Sequence, residues 1–425
     1  MKFTSYSKNS LKQAPESIEL SLAGSEYRAE FQAFSAPENS HKTPVIFLGG
    51  AFQSFSSFKY EVELVLSTHP VILLDLPSQG CNSQLAPELG LNDLAELIEL
   101  FCQAKNIDKV MLLGISYGSA MSTIFATTYP HRVERLLLSG ITCFRRESLI
   151  TLLEDSLEQL RQGKMEEFAT TAVCNLINYS RIDDTEVSPT YRRLLFRQIS
   201  RLNENERARY AQNTERLLDF PGFDAFPSCP TLIATGEYDS FTLPSENAAV
   251  AVQCDNATFA LVHNADHLSQ FERKETTSAL FHSFMCGESL DEIEGITLHD
   301  PKAFLERKDM RLQSRNRPLE QPYTLTDKET DKVHTVRINN INFAGCEIEQ
   351  INQDLSINQN SSELYLELPE TGHSYHVRIL ERHPKNLRCL IIQRNLKAAD
   401  SLNTYLNEYF LLSRDNCAFF TQELA

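Results

Sequence analysis

Gly114-Ile115-Ser116-Tyr117-Gly118 follows the apolar run KVMLL and precedes SAMSTIFATTYP, an apolar stretch of helical character. A serine between glycines at a sharp strand-to-helix turn has its hydroxyl exposed at a helix N-terminus, where free N–H groups and the helix dipole favour developing negative charge. This is the chemistry of a nucleophile. At its ordinary pKa a serine is a weak one, so it needs a general base, and the base needs a carboxylate to orient it. Serines on such turns take these partners in the chain order Ser, Asp, His. Asp239 lies just past the run TLIATG and His267 just past the run ATFALVH, so Ser116, Asp239 and His267 form the expected triad. Glu237, Asp266 and His263 stand nearby as competitors for the same roles. The tetrahedral intermediate also needs N–H donors for its oxyanion. The expected oxyanion hole is the backbone N–H of Tyr117, next after the nucleophile, with that of Ala51 in the tight turn Gly49-Gly50-Ala51 after VIFL.

Such loops must be held by a parallel sheet, and the chain has the pattern for one. From about residue 17 to 137, short apolar runs alternate with helical stretches: SIELSL, YRAEFQAF, PVIFLGG, PVILLDLP, the helix LNDLAELIELFCQAKN, then KVMLLG. This rhythm predicts a mostly parallel sheet with helices on both faces. Residues 144–218 instead carry amphipathic helical stretches, ESLITLLEDSLEQLRQG and PTYRRLLFRQISRLNENERARY, the second opened by Ser188-Pro189 as cap and first-turn signals. We read them as a helical cap over the sheet. The α/β rhythm resumes with CPTLIATGEYD and closes near residue 286. The acidic stretch over 287–305 is expected to be a linker. Beyond it, PYTLTD, VHTVRINNINFAG, ELYLELPE, SYHVRILE and LRCLIIQ predict a small antiparallel barrel, ending in a helix near AADSLNTYLNEYFLL. The expected domains are therefore 1–286, with the cap at about 144–218, and 306–425.

Composition narrows the class. A chain of 425 residues exceeds one typical core of about 250–300 residues, which agrees with two domains. A hydrophobic fraction of 42% and a mean hydropathy of −0.30 are those of an ordinary globular protein. The start, MKFTSYSKNSLKQAPES, has no apolar run behind its charges, and no stretch is long enough to span a bilayer. Ten scattered cysteines without a C-x-x-C pair read as reduced thiols, and the expected location is the cytoplasm. No cluster calls for a metal or a catalytic cofactor. The net charge of −17 is uneven: residues 301–425 carry 16 Lys+Arg against 17 Asp+Glu, leaving −16 on the first 300. Nucleic acid is an unsuitable partner for that first part. Within it, Arg193, Arg197 and Arg201 recur every four residues on one helix face with Arg192 beside them. They suit the phosphate of a carrier's pantetheine arm, or else form a solvated face paired with Glu204 and Glu206.

In sequence order, FLGGAFQS, LLDLPSQGCNS, GISYGSAMS, YPHRVERLLL, GEYDSFT and ADHLSQFE, over about 41–285, resemble the α/β hydrolases. Within that family they are most similar to the RhlA-like acyltransferases of rhamnolipid-precursor synthesis, whose cap is likewise helical. That resemblance implies joining of two 3-hydroxyacyl groups, taken from acyl carrier protein or coenzyme A, into a hydroxyalkanoyl ester lipid, with Ser116 acylated first. The family's dehalogenases and epoxide hydrolases use a carboxylate nucleophile, which this turn lacks. Over about 306–420 the chain resembles the PilZ domain, a cyclic-di-GMP-binding barrel with an R-x-x-x-R motif followed by [DN]-x-S-x-x-G. The matching residues are Arg311 and Arg315, then Asn340, Asn342 and Gly345, with Asn342 where the family has serine. Arg307 with Arg311 is an alternative register. The resemblance implies that the arginines bridge phosphate and stack on guanine, and that Asn340 and Asn342 contact a guanine edge. Three classes follow: an acyltransferase or esterase regulated by cyclic-di-GMP, a plain carboxylester hydrolase or thioesterase with a structural barrel, and a non-catalytic cyclic-di-GMP effector.

Overall fold

The computed structural model describes residues 1–141, 146–307, 318, 321–351, 357–358 and 361–413. The chain divides into two compact units, one of residues 1–145, 184–186 and 202–307, the other of residues 146–183, 187–201 and 308–425.

The first unit is built on a nine-stranded sheet. Its strands are β1 (Glu16–Leu22), β2 (Ser25–Phe34), β3 (Val45–Leu48), β4 (Val71–Asp75) and β5 (Val110–Ile115), then β6 (Val133–Ser139), β7 (Thr231–Gly236), β8 (Ala257–Val262) and β9 (Ile296–His299). The spatial order is β1-β2-β4-β3-β5-β6-β7-β8-β9. Strands β4 to β8 and β3 are parallel, while β1, β2 and β9 pair antiparallel at the edges. The central strands are buried along their whole length, as a sheet covered on both faces requires. On one face α1 (Lys59–Val65) and α10 (Lys274–Cys286) supply Val62, Phe281 and Phe284 to a single apolar cluster with Phe47, Leu73 and Leu113. The alternate residues Ile46, Ile72 and Leu112 point the other way, to the face where α3 (Tyr117–Thr128) packs on β3, β5 and β6 and also against α2 (Leu91–Ala104).

The unit also holds α7 (Glu204–Asp219), α8 (Pro244–Gln253), α9 (Ser269–Glu272) and α11 (Pro301–Leu305). The stretch 287–305, expected as a linker, instead completes the sheet. Val262 pairs with Ile296 and Phe259 with His299, and Phe304 of α11 meets Phe259 edge-on at 5.2 Å. The apolar residues Ile296, Leu298 and Phe304 cover an otherwise open edge, which outweighs the acidic flanks that suggested a linker.

The second unit differs from the expected cap and barrel in its grouping. Helices α4 (Glu147–Arg161), α5 (Met165–Leu176) and α6 (Pro189–Ser200), read from sequence as a cap of the first domain, cluster with the C-terminal barrel. The barrel consists of β10 (Tyr323–Asp327), β11 (Lys332–Ile341), β12 (Gly345–Gln350), β13 (Leu364–Leu368), β14 (His373–Arg382) and β15 (Asn386–Ile392), closed in the order β10-β11-β12-β15-β14-β13, and is followed by α12 (Leu396–Ser413). Closure leaves no unpaired edge. The continuous helical stretch expected over 189–210 is two helices. Asn203 accepts from the Glu206 N–H at 3.0 Å while Glu206 accepts from the Asn203 N–H at 2.8 Å, a capping box that starts α7 afresh.

A buried ion pair ties the helical layer to the barrel. Arg394, just past β15, donates to Asp155 of α4 at 2.8 Å, and the Asp155 side chain is 2% exposed. Thr171 of α5 donates to the Gln393 carbonyl at 2.9 Å, and Tyr179 stacks on Phe343 with centroids 5.5 Å apart. Removing one partner of such a pair leaves a charge buried and uncompensated. Arg394→Met should therefore cost about 3 kcal/mol in urea unfolding, and adding Asp155→Leu should recover most of it. Equal stability of Arg394→Met and the parent would contradict this account.

Candidate active site

Ser116 stands between β5 and α3 with φ 49° and ψ −114°, a region that residues bearing a side chain rarely occupy. The strain falls on the serine and not on its flanking glycines, whose backbones are ordinary; the glycines are needed for space. A Cβ on Gly118 would lie 2.1 Å from the Leu48 carbonyl oxygen, and one on Gly114 would lie 2.4 Å from Ser122 Oγ. The sequence pattern is thus a packing requirement: α3 must approach β3 closely enough to present the Ser116 hydroxyl above the sheet.

Asp239 and His267 arrive from loops after β7 and β8, the strands next in line beyond β6. His267 Nε2 lies 3.0 Å from Ser116 Oγ, and His267 Nδ1 lies 3.0 Å from Asp239 Oδ2. A carboxylate facing Nδ1 fixes the proton there, so Nε2 presents its lone pair to the serine hydroxyl. Asp239 is buried and fully engaged. Its Oδ1 accepts from the N–H groups of Phe241 and Thr242 at 2.9 and 2.8 Å, and its Oδ2 accepts from the hydroxyls of Thr235 and Thr242 at 3.0 and 2.7 Å. Burial by itself would raise the Asp239 pKa, but the charge and hydrogen bond of His267, with the bonds from Thr242, outweigh it and hold the carboxyl below its ordinary value. Burial would lower the His267 pKa, and here the Asp239 charge and hydrogen bond prevail and raise it.

The competitors are engaged elsewhere. His263 meets Thr297 Oγ1 at 2.6 Å, Glu237 accepts from the Asn264 N–H at 3.2 Å, and Asp266 accepts from the Leu268 N–H at 3.0 Å. Sequence reading missed Thr242, whose Oγ1 lies 3.1 Å from His267 Nδ1 and steadies both partners. Its signal was the spacing Asp239-x-x-Thr242, a turn in which an aspartate accepts from N–H groups two and three residues on.

Of the two expected oxyanion donors, Tyr117 occupies the first position of α3, where an N–H has no intrahelical acceptor. Ala51 lies in the turn after β3. Its neighbour Gly50 donates to Gln53 Oε1 at 2.7 Å, and the Cβ direction of Gly50 runs to within 3.2 Å of Ser116 Cβ, so this loop borders the serine.

Of the expected nucleotide residues, Asn340, Asn342 and Gly345 lie in the barrel, on β11, in the turn that follows it and at the start of β12. Arg311 and Arg315 fall outside the described residues. Asn342 Oδ1 accepts from the N–H groups of Ala344 and Gly345 at 3.1 and 2.9 Å, closing the β11–β12 hairpin. Gly345 is required there because a Cβ would meet the Cys389 carbonyl at 2.6 Å. Asn340 donates to Glu347 Oε2 at 2.8 Å. No group of His, Cys, Asp and Glu suited to a metal occurs among the described residues.

The strand order, the strained serine between β5 and α3, and the loops that carry its partners define a serine-bearing α/β enzyme. Residues 43–274 match the sequence profile of the alpha/beta hydrolase fold, and the chain belongs to this family. Two relatives differ in their acceptors. Ethanol acetyltransferase 1 of Cyberlindnera jadinii is 26% identical over 133 residues, 31% of this chain and 39% of the relative. The (E)-2-((N-methylformamido)methylene)succinate hydrolase of Acinetobacter baylyi is 22% identical over 253 residues, 58% of this chain and 92% of the relative. A probable alcohol acetyltransferase of Wickerhamomyces anomalus is matched over only 28% of its length, so the chain spans well under half of either acetyltransferase. Among solved structures, MGS-M2, an alpha/beta hydrolase enzyme from a Medee basin deep-sea metagenome, superposes with a TM-score of 0.55 at 19% identity, covering 64% of this chain and 99% of that one. That likeness is one of fold. Among the described residues no helix is long and apolar enough to cross a membrane.

The paired shifts of Asp239 and His267 predict an NMR titration. The His267 imidazole should titrate above 6.5, its ordinary value. In Asp239→Asn the supporting charge is gone and burial dominates, so the midpoint should fall below that of a free imidazole. An unmoved midpoint would contradict the assigned pairing.

Proposed function

We propose that the chain is a serine-dependent acyl-transfer enzyme acting on small carboxylic esters or thioesters, with Ser116 as nucleophile, His267 as general base and Asp239 as its orienting carboxylate. The observation that carries this reading is the unbroken relay from Ser116 Oγ through His267 to Asp239, with both contacts at 3.0 Å. As Oγ attacks the carbonyl carbon, its proton passes to Nε2. The resulting oxyanion is received by the N–H groups of Tyr117 and Ala51, a donor of this kind being worth about 3 kcal/mol of barrier. The bond to the leaving group breaks as the imidazolium returns the proton to it, leaving acyl-Ser116. A second hydroxyl, from water or an alcohol, then gives its proton to His267 and attacks the acyl carbon. Free acid or a new ester departs, and the proton returns to Oγ. Both outcomes have counterparts among the relatives, an acetyltransferase and a hydrolase by name.

Within this class, the resemblance to the RhlA-like acyltransferases favours a 3-hydroxyacyl thioester as donor and the hydroxyl of a second 3-hydroxyacyl chain as acceptor. Control by cyclic-di-GMP through the barrel rests on the PilZ-like motif and on the closed six-strand architecture. Asn340, Asn342 and Gly345 would border that ligand at the β11–β12 hairpin, with Arg311 and Arg315 on its phosphates. We assign the reaction to the cytoplasm on the cysteine pattern.

Mass spectrometry of the enzyme with 3-hydroxyacyl thioesters separates these readings. The expected result is a dimeric hydroxyacyl ester that Ser116→Ala lowers by about 10⁴-fold or more and whose yield changes with cyclic-di-GMP. Free acid alone would make the chain a hydrolase. Turnover of simple esters that is equal in Ser116→Ala and the parent would sink the serine mechanism itself. Through the His267 shift, kcat/KM should rise with pH, because the base must be neutral, with its half-point above 6.5.

A further inference from the structure

A second site lies wholly within the helical layer of the second unit. A cavity of about 650 Å³ opens between α5, α6 and α12, within the size range of small-molecule sites. Arg192, Arg193, Arg197 and Arg201 all line it. Two carboxylates, Glu166 and Asp400, also reach it, and the Arg192 charge acts on Asp400, yet no salt bridge is formed by any of the four arginines among the described residues, and Arg193 donates only to Thr190 Oγ1 at 3.2 Å. Glu206, a partner suggested by the sequence, is engaged with the Asn203 N–H. Arg192 is held over the Tyr179 ring at 5.6 Å, and its Nε is buried with no acceptor. Arg193, Arg197 and Arg201 are exposed and follow one another at helical spacing along one face, extending over about 12 Å. Phe196, half-buried, adds a planar apolar wall.

A single carboxylate would leave most of this positive charge unmatched. Phosphate monoesters and diphosphates carry about two or more charges and accept guanidinium groups in pairs. We propose that this cavity binds a phosphorylated small molecule of nucleotide size, its phosphates on the arginine face of α6 and its planar or apolar part against Phe196. The proposal does not depend on the ester chemistry of the first unit, and it uses none of the residues assigned to cyclic-di-GMP.

Calorimetric titration of the full chain with pyrophosphate, ADP and coenzyme A provides the test, with binding of ADP or coenzyme A at micromolar levels and weaker binding of pyrophosphate expected. The double variant Arg193→Gln/Arg197→Gln should weaken all of them by about 30-fold or more while leaving turnover of a simple ester unchanged. Phe196→Ala should remove only the advantage of ADP and coenzyme A over pyrophosphate. A ligand-induced rise in Tm that the double variant lacks gives an independent reading. The proposal is overturned if none of the three probes binds at millimolar concentration, or if the double variant binds as the parent does. Retention on anionic lipid vesicles that these small molecules do not compete would equally overturn it, making the arginine face a membrane surface.

Discussion

A left-handed backbone at Ser116, costing about 1–3 kcal/mol for a residue with a side chain, persists because the structure around it leaves no alternative. The Ser116 N–H donates to the Ser139 carbonyl on β6 at 2.8 Å, and its own carbonyl accepts from the Ser119 N–H and hydroxyl at 2.9 and 2.5 Å. These bonds fix both sides of the residue while Gly118 lies against β3. The parallel order of β3, β5 and β6 therefore sets the position of one hydroxyl. Everything that must meet it, the turn after β3 and the loops after β7 and β8, emerges from the same end of the sheet.

The two units each contain a buried charged pair, and these serve different ends. Asp239 and His267 lie under a dense set of donors, so the carboxylate stays ionised despite burial and the imidazole keeps one face for Ser116. In the second unit, Asp155 and Arg394 hold α4 to the end of β15, and burial together with the Arg394 charge drives the adjacent His376 down to about 4. His376 is thus neutral at ordinary pH, and the Asp155 charge is met by Arg394 at 2.8 Å and Arg378 at 3.9 Å. The first pair orients an imidazole on the Ser116 hydroxyl, whereas the second fixes a layer of helices in place.

Much of the first unit was legible because its signals are steric. Gly114 and Gly118 report close approaches that no other residue permits, and unbroken runs such as VIFL and VILLD report strands buried on both faces. Ser116, Asp239 and His267 stand at the ends of such strands, and the sheet brings them together. Less legible was anything decided by competition between weak local preferences. Asn203 and Glu206 divide what reads as one amphipathic helix, and Ile296, Leu298 and Phe304 turn an acidic stretch into a sheet edge because an adjacent strand offers them cover. The grouping of α4 to α6 with the barrel draws on contacts between residues far apart in the chain, such as Arg394 to Asp155 and Thr171 to Gln393, which leave no periodic trace. Asn342 shows the reverse hazard, since a motif position is also what a tight hairpin needs.

Charge distribution connects these observations. The chain carries a net charge of −17, so unpaired arginines on its surface sit in a field that readily supplies partners. Arg132 and Arg273 find theirs, in Glu99 and Glu186 at 2.6 Å each. Among the described residues the four arginines of one short segment form no salt bridge, although Glu166 and Asp400 line the same cavity and Arg192 lies near enough to Asp400 to favour its charge. Arg192, held over the Tyr179 ring, keeps its Nε buried with no acceptor. A buried donor without an acceptor costs about 1–3 kcal/mol, a deficit that a polyanionic occupant of the cavity would remove. The α5 side of the cavity is meanwhile anchored to the barrel through Thr171, so its walls are held in place before any ligand arrives.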